Sequence, residues 1–294
     1  MPGIFLLHTL LDKTISLGFS TEIQKLIRSK GFQKYFKNTS WMLGGKVVQM
    51  GVTFLVTAYV ARYLGPADFG LLNYARSFGM FFLIFSTLGL QTLLMRNLVE
   101  EPDLTGKTLG TALMMRLSSS LLSVLVFFGV TQFFPDHDYL TNTLILLVIA
   151  SSFFQAFDSL EVYFQSQAKS QYSVRVRFLA VMSFAAMQLV LIYLEAPVLW
   201  FGWAFLFRNF IAGMGMLVAY QRRFGRFSDF SIDFSYAKQL FKDALPLVFS
   251  GMVVILYMKV DQVMIMNLMD DEAVGQYTAA LRFSEIWYFG GGLL

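Results

Sequence analysis

From Trp41 to Leu294 the chain is a succession of eight apolar runs, each close to the ~20 residues that a helix needs to cross a bilayer, parted by short polar hinges. The runs are Trp41 to Tyr63, Leu71 to Met95, Leu109 to Phe134, Leu140 to Phe164, Phe178 to Leu194, Val198 to Tyr220, Leu245 to Leu268 and Val274 to Leu294. They are apolar throughout, whereas a barrel strand would alternate apolar and polar side chains over about ten residues. Helices are therefore expected, since inside hydrocarbon every backbone N–H and C=O must be paired within the segment. Composition closes the soluble alternative: 56% of residues are hydrophobic and only 14% are charged, too few to cover a water-facing surface. The expected fold class is an all-α, polytopic membrane protein.

The basic residues sort by connection. One set of connections holds Lys13, Lys25, Arg28, Lys30, Lys34 and Lys37, then Arg96 and Lys107, then Lys169, Arg175 and Arg177, then Arg222, Arg223, Arg226, Lys238 and Lys242. The alternate set holds Arg62 alone. Such a bias predicts a cytoplasmic amino terminus in a cytoplasmic (inner) membrane, and it accounts for the net charge of +4 without nucleic acid. No basic stretch precedes the apolar residues of the first eleven and no small-residue site follows them, so a cleaved signal peptide is not expected. Residues 1–37 form a basic flank, with Thr21 to Lys37 patterned either as an amphipathic helix on the cytoplasmic membrane face or as a plain topological anchor. With no cysteine and only His8 and His137, neither a metal centre nor a cofactor is expected.

An internal repeat divides the chain. The hinge Tyr63-Leu64-Gly65-Pro66-Ala67-Asp68-Phe69-Gly70 is echoed, with one residue inserted, by Asn267-Leu268-Met269-Asp270-Asp271-Glu272-Ala273-Val274-Gly275. Six spans separate the copies, so they share an orientation, as in transporters built from parallel repeats. The expected organisation is a six-helix lobe at 38–220, a cytoplasmic linker at 221–243 and the start of a second lobe at 244–294. The last run ends without a polar tail, which reads as a truncated second lobe.

Six basic residues fall inside the runs: Lys46, Arg76, Arg116, Arg208, Lys259 and Arg282, beside the acidic Asp158, Glu161, Asp261 and Glu285. A charge in hydrocarbon costs several kilocalories and persists mainly where it faces water, a partner or a substrate. At about 1.5 Å per residue, Arg208 lies roughly 15 Å deep, where snorkelling cannot reach an interface. Lys259, Asp261 and Arg116 are intermediate, while Lys46, Arg76, Asp158 and Glu161 are expected nearer an interface. Arg282 and Glu285 are spaced to pair on one helix face. An excess of cations suits an anionic, phosphate-bearing cargo, with Arg208, Lys259, Arg116, Arg76 and Lys46 as the expected cavity cations. A multidrug exporter would instead favour a carboxylate-dominated cavity. A membrane polymerase or glycosyltransferase would need a large catalytic loop, and no enzymatic motif is visible.

The stretch Asn38-Thr39-Ser40-Trp41, then Ala61 to Gly70, then Leu88-Gly89-Leu90 followed by Arg96, resembles the amino-terminal signature of polysaccharide flippases. Asp261 and the segments Val274-Gly275-Gln276-Tyr277 and Arg282-Phe283-Ser284-Glu285 resemble that family's seventh and eighth helices. The resemblance implies membership of the multidrug, oligosaccharidyl-lipid and polysaccharide exporter superfamily, with two six-helix lobes and alternating access. It further implies a polyprenyl-pyrophosphate-linked oligosaccharide as cargo, for O-antigen, capsule or exopolysaccharide. A polysaccharide polymerase and chain-length machinery would be partners alongside membrane lipid, and Asp261 or Glu161 would couple an ion.

Overall fold

The computed structural model describes residues 30–133 and 138–291, with side chains over 44–45, 47–131 and 138–281. The flank before Lys30, and the side chains of Lys46, Arg282 and Glu285, lie outside the described residues.

All the regular structure within that range is helical. In chain order it comprises α1 (Lys30–Thr87), α2 (Leu90–Glu100), a 3-10 turn (Pro102–Leu104), α3 (Thr105–Phe133), α4 (Tyr139–Ala150), α5 (Ser152–Gln155) and α6 (Asp158–Ser166). There follow α7 (Gln171–Tyr193), α8 (Val198–Arg223), a second 3-10 turn (Phe227–Asp229), α9 (Phe234–Leu268) and α10 (Asp271–Gly291). Six described segments are long and apolar enough to cross a membrane, the first being the 54-residue stretch Val47–Glu100. The chain is an all-helical, multi-pass membrane protein.

Three of the expected runs are shaped by breaks. Within α1, Gly65 adopts φ 73° and ψ 175°, a conformation closed to residues with a Cβ, and Pro66 restarts the helix where its missing N–H is harmless. The second run is not one helix: Leu88 and Gly89 both take positive φ, ending α1 and starting α2. The fourth run loosens at Ser151 and again at Ala156 and Phe157, which yields α4, α5 and α6 in place of one rod. Arg177, counted above as a connection residue, sits two turns inside α7.

Hydrogen bonds sort the connections onto two faces. On one, the Tyr63 hydroxyl donates to Ala196 O at 3.1 Å, and the turn at Asp271 lies against Gly70. On the other, Ser231 N–H donates to Gly106 O at 3.3 Å, Asn97 Nδ2 donates to the Tyr236 hydroxyl at 2.8 Å, and Lys169 Nζ lies 4.6 Å from the Phe224 ring centroid. These are the groups of connections that the basic residues separate; the second is called the basic face below. Two apolar cores correspond to the two faces. One is centred on Leu72, Tyr74, Ile145 and Phe201, the other on Leu94, Leu109, Phe164 and Met216, with Leu240 and Ala244 of α9 packed into it.

The two copies of the hinge repeat touch each other. A Cβ at Gly70 would sit 1.8 Å from Asp271 O, and a Cβ at Gly275 would sit 2.0 Å from Pro66 O. Gly70 follows Pro66 by four residues and Gly275 follows Asp271 by four, so each glycine meets the carbonyl at the start of its counterpart's helix. The crossing is therefore reciprocal, as a local two-fold demands, and close approach of this kind requires small residues. Gly70→Leu should overpack the crossing and cost about 1–3 kcal/mol of stability. Gly129→Leu, at a site with nothing within 4 Å, should be near neutral; thermal unfolding of the two variants in the same detergent makes the comparison.

Candidate functional site

The crossing roofs a polar pocket. One turn further in, Asn73 of α1 and Thr278 of α10 face a cavity of about 60 Å³, room for about two waters, which Arg76, Ser77, Lys259 and Gln262 also line. Ser77 Oγ donates to Gln262 Oε1 at 2.5 Å, tying α1 to α9. Thr278 Oγ1 is buried without a hydrogen-bond partner. Arg76 and Lys259 each sit nine or ten residues from the helix end on the sparse face, hence roughly 14–15 Å deep and near the midplane of a ~30 Å core. Arg76, expected nearer an interface, instead has Nε and Nη2 shielded and its guanidinium carbon 5.3 Å from the Phe205 ring centroid. An aromatic face compensates a buried cation in part, because the ring's quadrupole is negative there.

Phe205 leads to the next cation. It lies three residues, about one helical turn, from Arg208 on α8, and the Arg208 guanidinium carbon lies 5.4 Å from the Phe184 ring centroid of α7. Arg208 is also within electrostatic reach of Arg177 and Asp158. Nearer the basic face, Arg177 Nη2 is 2.8 Å from Asp158 Oδ1 and 2.6 Å from Glu161 Oε2, while its Nε donates to Glu161 Oε2 at 3.1 Å. Arg116, only 4% exposed, feels Asp158 electrostatically but has a buried Nε with no hydrogen-bond partner. Arg177, Arg116 and Arg208 thus gather around Asp158, with Glu161 held by Arg177.

The sequence-derived residues fall into three sets. Arg76 and Lys259 are brought together in the pocket; Arg116 and Arg208 share the Asp158, Glu161 and Arg177 network; Lys46 lies outside the described side chains. Asp261 is not in either cluster. Its Oδ1 accepts from Gln262 N–H at 2.8 Å and its Oδ2 accepts from the Tyr277 hydroxyl, which binds α9 to α10. Arg177, Phe205 and Thr278 escaped the sequence reading. The alternation of Val174 and Val176 with Arg175 and Arg177 hid the true start of α7, whereas ring positions such as Phe205 carry no signal of their own.

A comparison with protein families now has a geometry to stand on: a family model described as polysaccharide biosynthesis protein matches residues 35–287. The chain belongs to that family. The match takes in both arms of α1, the pocket, the charge network and most of α10, so every cluster described above lies within family territory. No curated protein and no solved structure matches the chain.

The segment between α8 and α9 clamps the basic face. Lys107 Nζ lies 2.6 Å from Asp233 Oδ2 and 5.2 Å from the Tyr236 ring centroid, and Asp233 N–H donates to Thr111 Oγ1 at 3.2 Å. The hydrogen bond from Lys107 holds the Asp233 carboxyl below the usual carboxylate range. A depressed folded value means that the stabilisation is present above the unfolded value, about 4, and is lost as pH falls through the folded one. The clamp should therefore persist at neutral pH and loosen only in strong acid. Asp233→Asn should loosen it at neutral pH, raising amide exchange across 227–236; equal exchange in the two proteins would refute the assignment.

A separate outcome tests the network. Arg177→Gln leaves Asp158 and Glu161 without their guanidinium and should cost about 3 kcal/mol, because removing one partner strands buried charge. Adding Asp158→Asn and Glu161→Gln should recover part of that loss, as read by thermal unfolding of the single and triple variants.

Proposed function

We propose that the chain translocates a polyprenyl-pyrophosphate-linked oligosaccharide across the cytoplasmic membrane by alternating access, for O-antigen, capsule or exopolysaccharide assembly. The observation that carries this reading is the string of cations from Arg177 and Arg116 through Arg208 to Arg76 and Lys259, set inside helices that are otherwise apolar. Guanidinium groups pair bidentately with phosphate oxygens, and a set of cations in a low-dielectric wall concentrates anions. Membership of a polysaccharide biosynthesis family supports reading that anion as a sugar phosphate carried on lipid.

In this reading the basic face is cytoplasmic, since retained connections collect Lys and Arg. Residues 38–220 act as one lobe, 221–243 as the linker between lobes and 244–294 as the beginning of a second. The Gly70 and Gly275 crossing closes the outer side, directly above the Arg76 and Lys259 pocket. Substrate phosphates enter from the cytoplasmic side along Arg177 and Arg208, exchange carboxylate partners for phosphate oxygens, and reach Arg76 and Lys259 before the crossing opens. Asp261, bonded to the Tyr277 hydroxyl across α9 and α10, is the carboxylate placed to couple a proton or cation to that opening, with Glu161 as the second candidate.

Arg208→Ala and the pair Arg76→Ala with Lys259→Ala should each lower surface polysaccharide at least about tenfold at matched protein levels, the loss of a single charge-assisted contact to phosphate. Unchanged yields in both would remove these residues from the path. Cross-linking Asn73→Cys to Thr278→Cys should stop export reversibly, and the chain contains no other cysteine to confuse the result.

A further inference from the structure

A second cavity lies away from the cation string. A groove of about 500 Å³, within the range of ligand pockets, runs along α3 from Gly110 past Leu113, Leu117 and Leu121 and is walled by Phe153 of α5. Its lip is Phe227, Phe230 and Ile232 from the segment between α8 and α9. That lip is locked in place by backbone. A Cβ at Gly110 would sit 2.5 Å from Ser231 O, one at Gly106 would sit 2.5 Å from Asp229 O, and Ser231 N–H donates to Gly106 O. The one hydroxyl in the lining, Ser118, donates to Met114 O of its own helix, so the groove offers carbon.

The groove starts five residues into α3 and extends eleven more, hence from about 8 Å to about 24 Å from the basic face, the depth of one leaflet's acyl chains. At its mouth cations outnumber carboxylates: Arg222, Arg223 and Arg226 are exposed, Asp233 is paired with Lys107, and Asp229, which accepts from the Arg226 N–H at 2.9 Å, leaves a net positive balance. Phe227, 49% exposed, follows Arg226 directly, and Ile232 is 54% exposed. Arginines beside aromatic side chains at a bilayer surface are the pattern that holds anionic headgroups.

We propose that this groove binds an anionic phospholipid from the leaflet on the basic face, with one acyl chain between α3 and the lip and the phosphate on Arg223 and Arg226. The site lies outside the cation string and does not depend on the cargo assigned above. Its occupant bridges α3 to the segment that leads into α9, so the lipid sets how firmly that segment is held.

The full chain reconstituted in nanodiscs tests this with phosphatidylglycerol or phosphatidylcholine carrying a photoreactive diazirine on one acyl chain. Cross-linked peptides are mapped by mass spectrometry. Labelling should concentrate at 113–121 and 227–232 and should favour phosphatidylglycerol by at least about fivefold, the factor that one surface cation supplies. Arg223→Gln with Arg226→Gln, both at exposed positions, should bring the two lipids to parity, and Ser118→Trp should fill the groove and reduce labelling by either. Parity in the unaltered protein, a preference that survives the double arginine variant, or labelling spread evenly over the exposed Leu122, Leu125 and Phe128 outside the groove would overturn the proposal and leave ordinary annular lipid.

Discussion

A guanidinium inside hydrocarbon needs company, and much of this architecture follows from how that company is arranged. Arg177 has two carboxylates within 2.8 Å, whereas Arg76 and Arg208 rest on aromatic faces and Arg116 shares Asp158 at a distance. Paired carboxylates hold a cation firmly, whereas an aromatic ring compensates its charge only in part. The compensation among the described residues thus differs in kind, ion pairs near the basic face and ring contacts deeper in.

The reciprocal glycine contact is the second constraint, and it explains why the pocket exists where it does. Two helices that meet backbone to backbone at Gly70 and Gly275 must diverge beyond the crossing, and the larger Asn73 and Thr278 one turn on already hold them apart. The gap so created lies beside α9, which fills it with Lys259 and Gln262 in place of apolar side chains. Without close packing at the top, the polar residues beneath would have no shared space. Helix association in a bilayer draws little on the hydrophobic effect, so such packing and a few hydrogen bonds carry it.

Much of this was legible from the chain alone because membranes impose strict rules. Continuous apolar runs announced helices, the Lys and Arg bias sorted the connections onto the faces that hydrogen bonds later joined, and the repeated Gly-containing hinge marked the two elements that cross. What stayed hidden was partnership. Depth along a run could single out Arg208, but nothing in a linear pattern says that Arg177 reaches back sixteen residues to Glu161 or that Phe205 lies against Arg76. Gly89 marked a place where the second run could bend, but the break at Ser151 was invisible, since no proline or glycine lies there.

The two faces are held by different chemistry, and that difference bears on which can open. The glycine crossing is close van der Waals contact between backbones, held by small residues and not by an ion pair among the described residues. The opposite clamp combines an ion pair, a cation over a tyrosine ring, a backbone hydrogen bond to Gly106 and side-chain bonds to Thr111 and Asn97. Water can replace those bonds at a membrane surface at modest net cost, since each is worth only about 1 kcal/mol there, but it must replace all of them together. A rocking motion that pivots about the clamp and parts the glycines therefore asks less than the reverse, and it would uncover the pocket lined by Arg76 and Lys259 first.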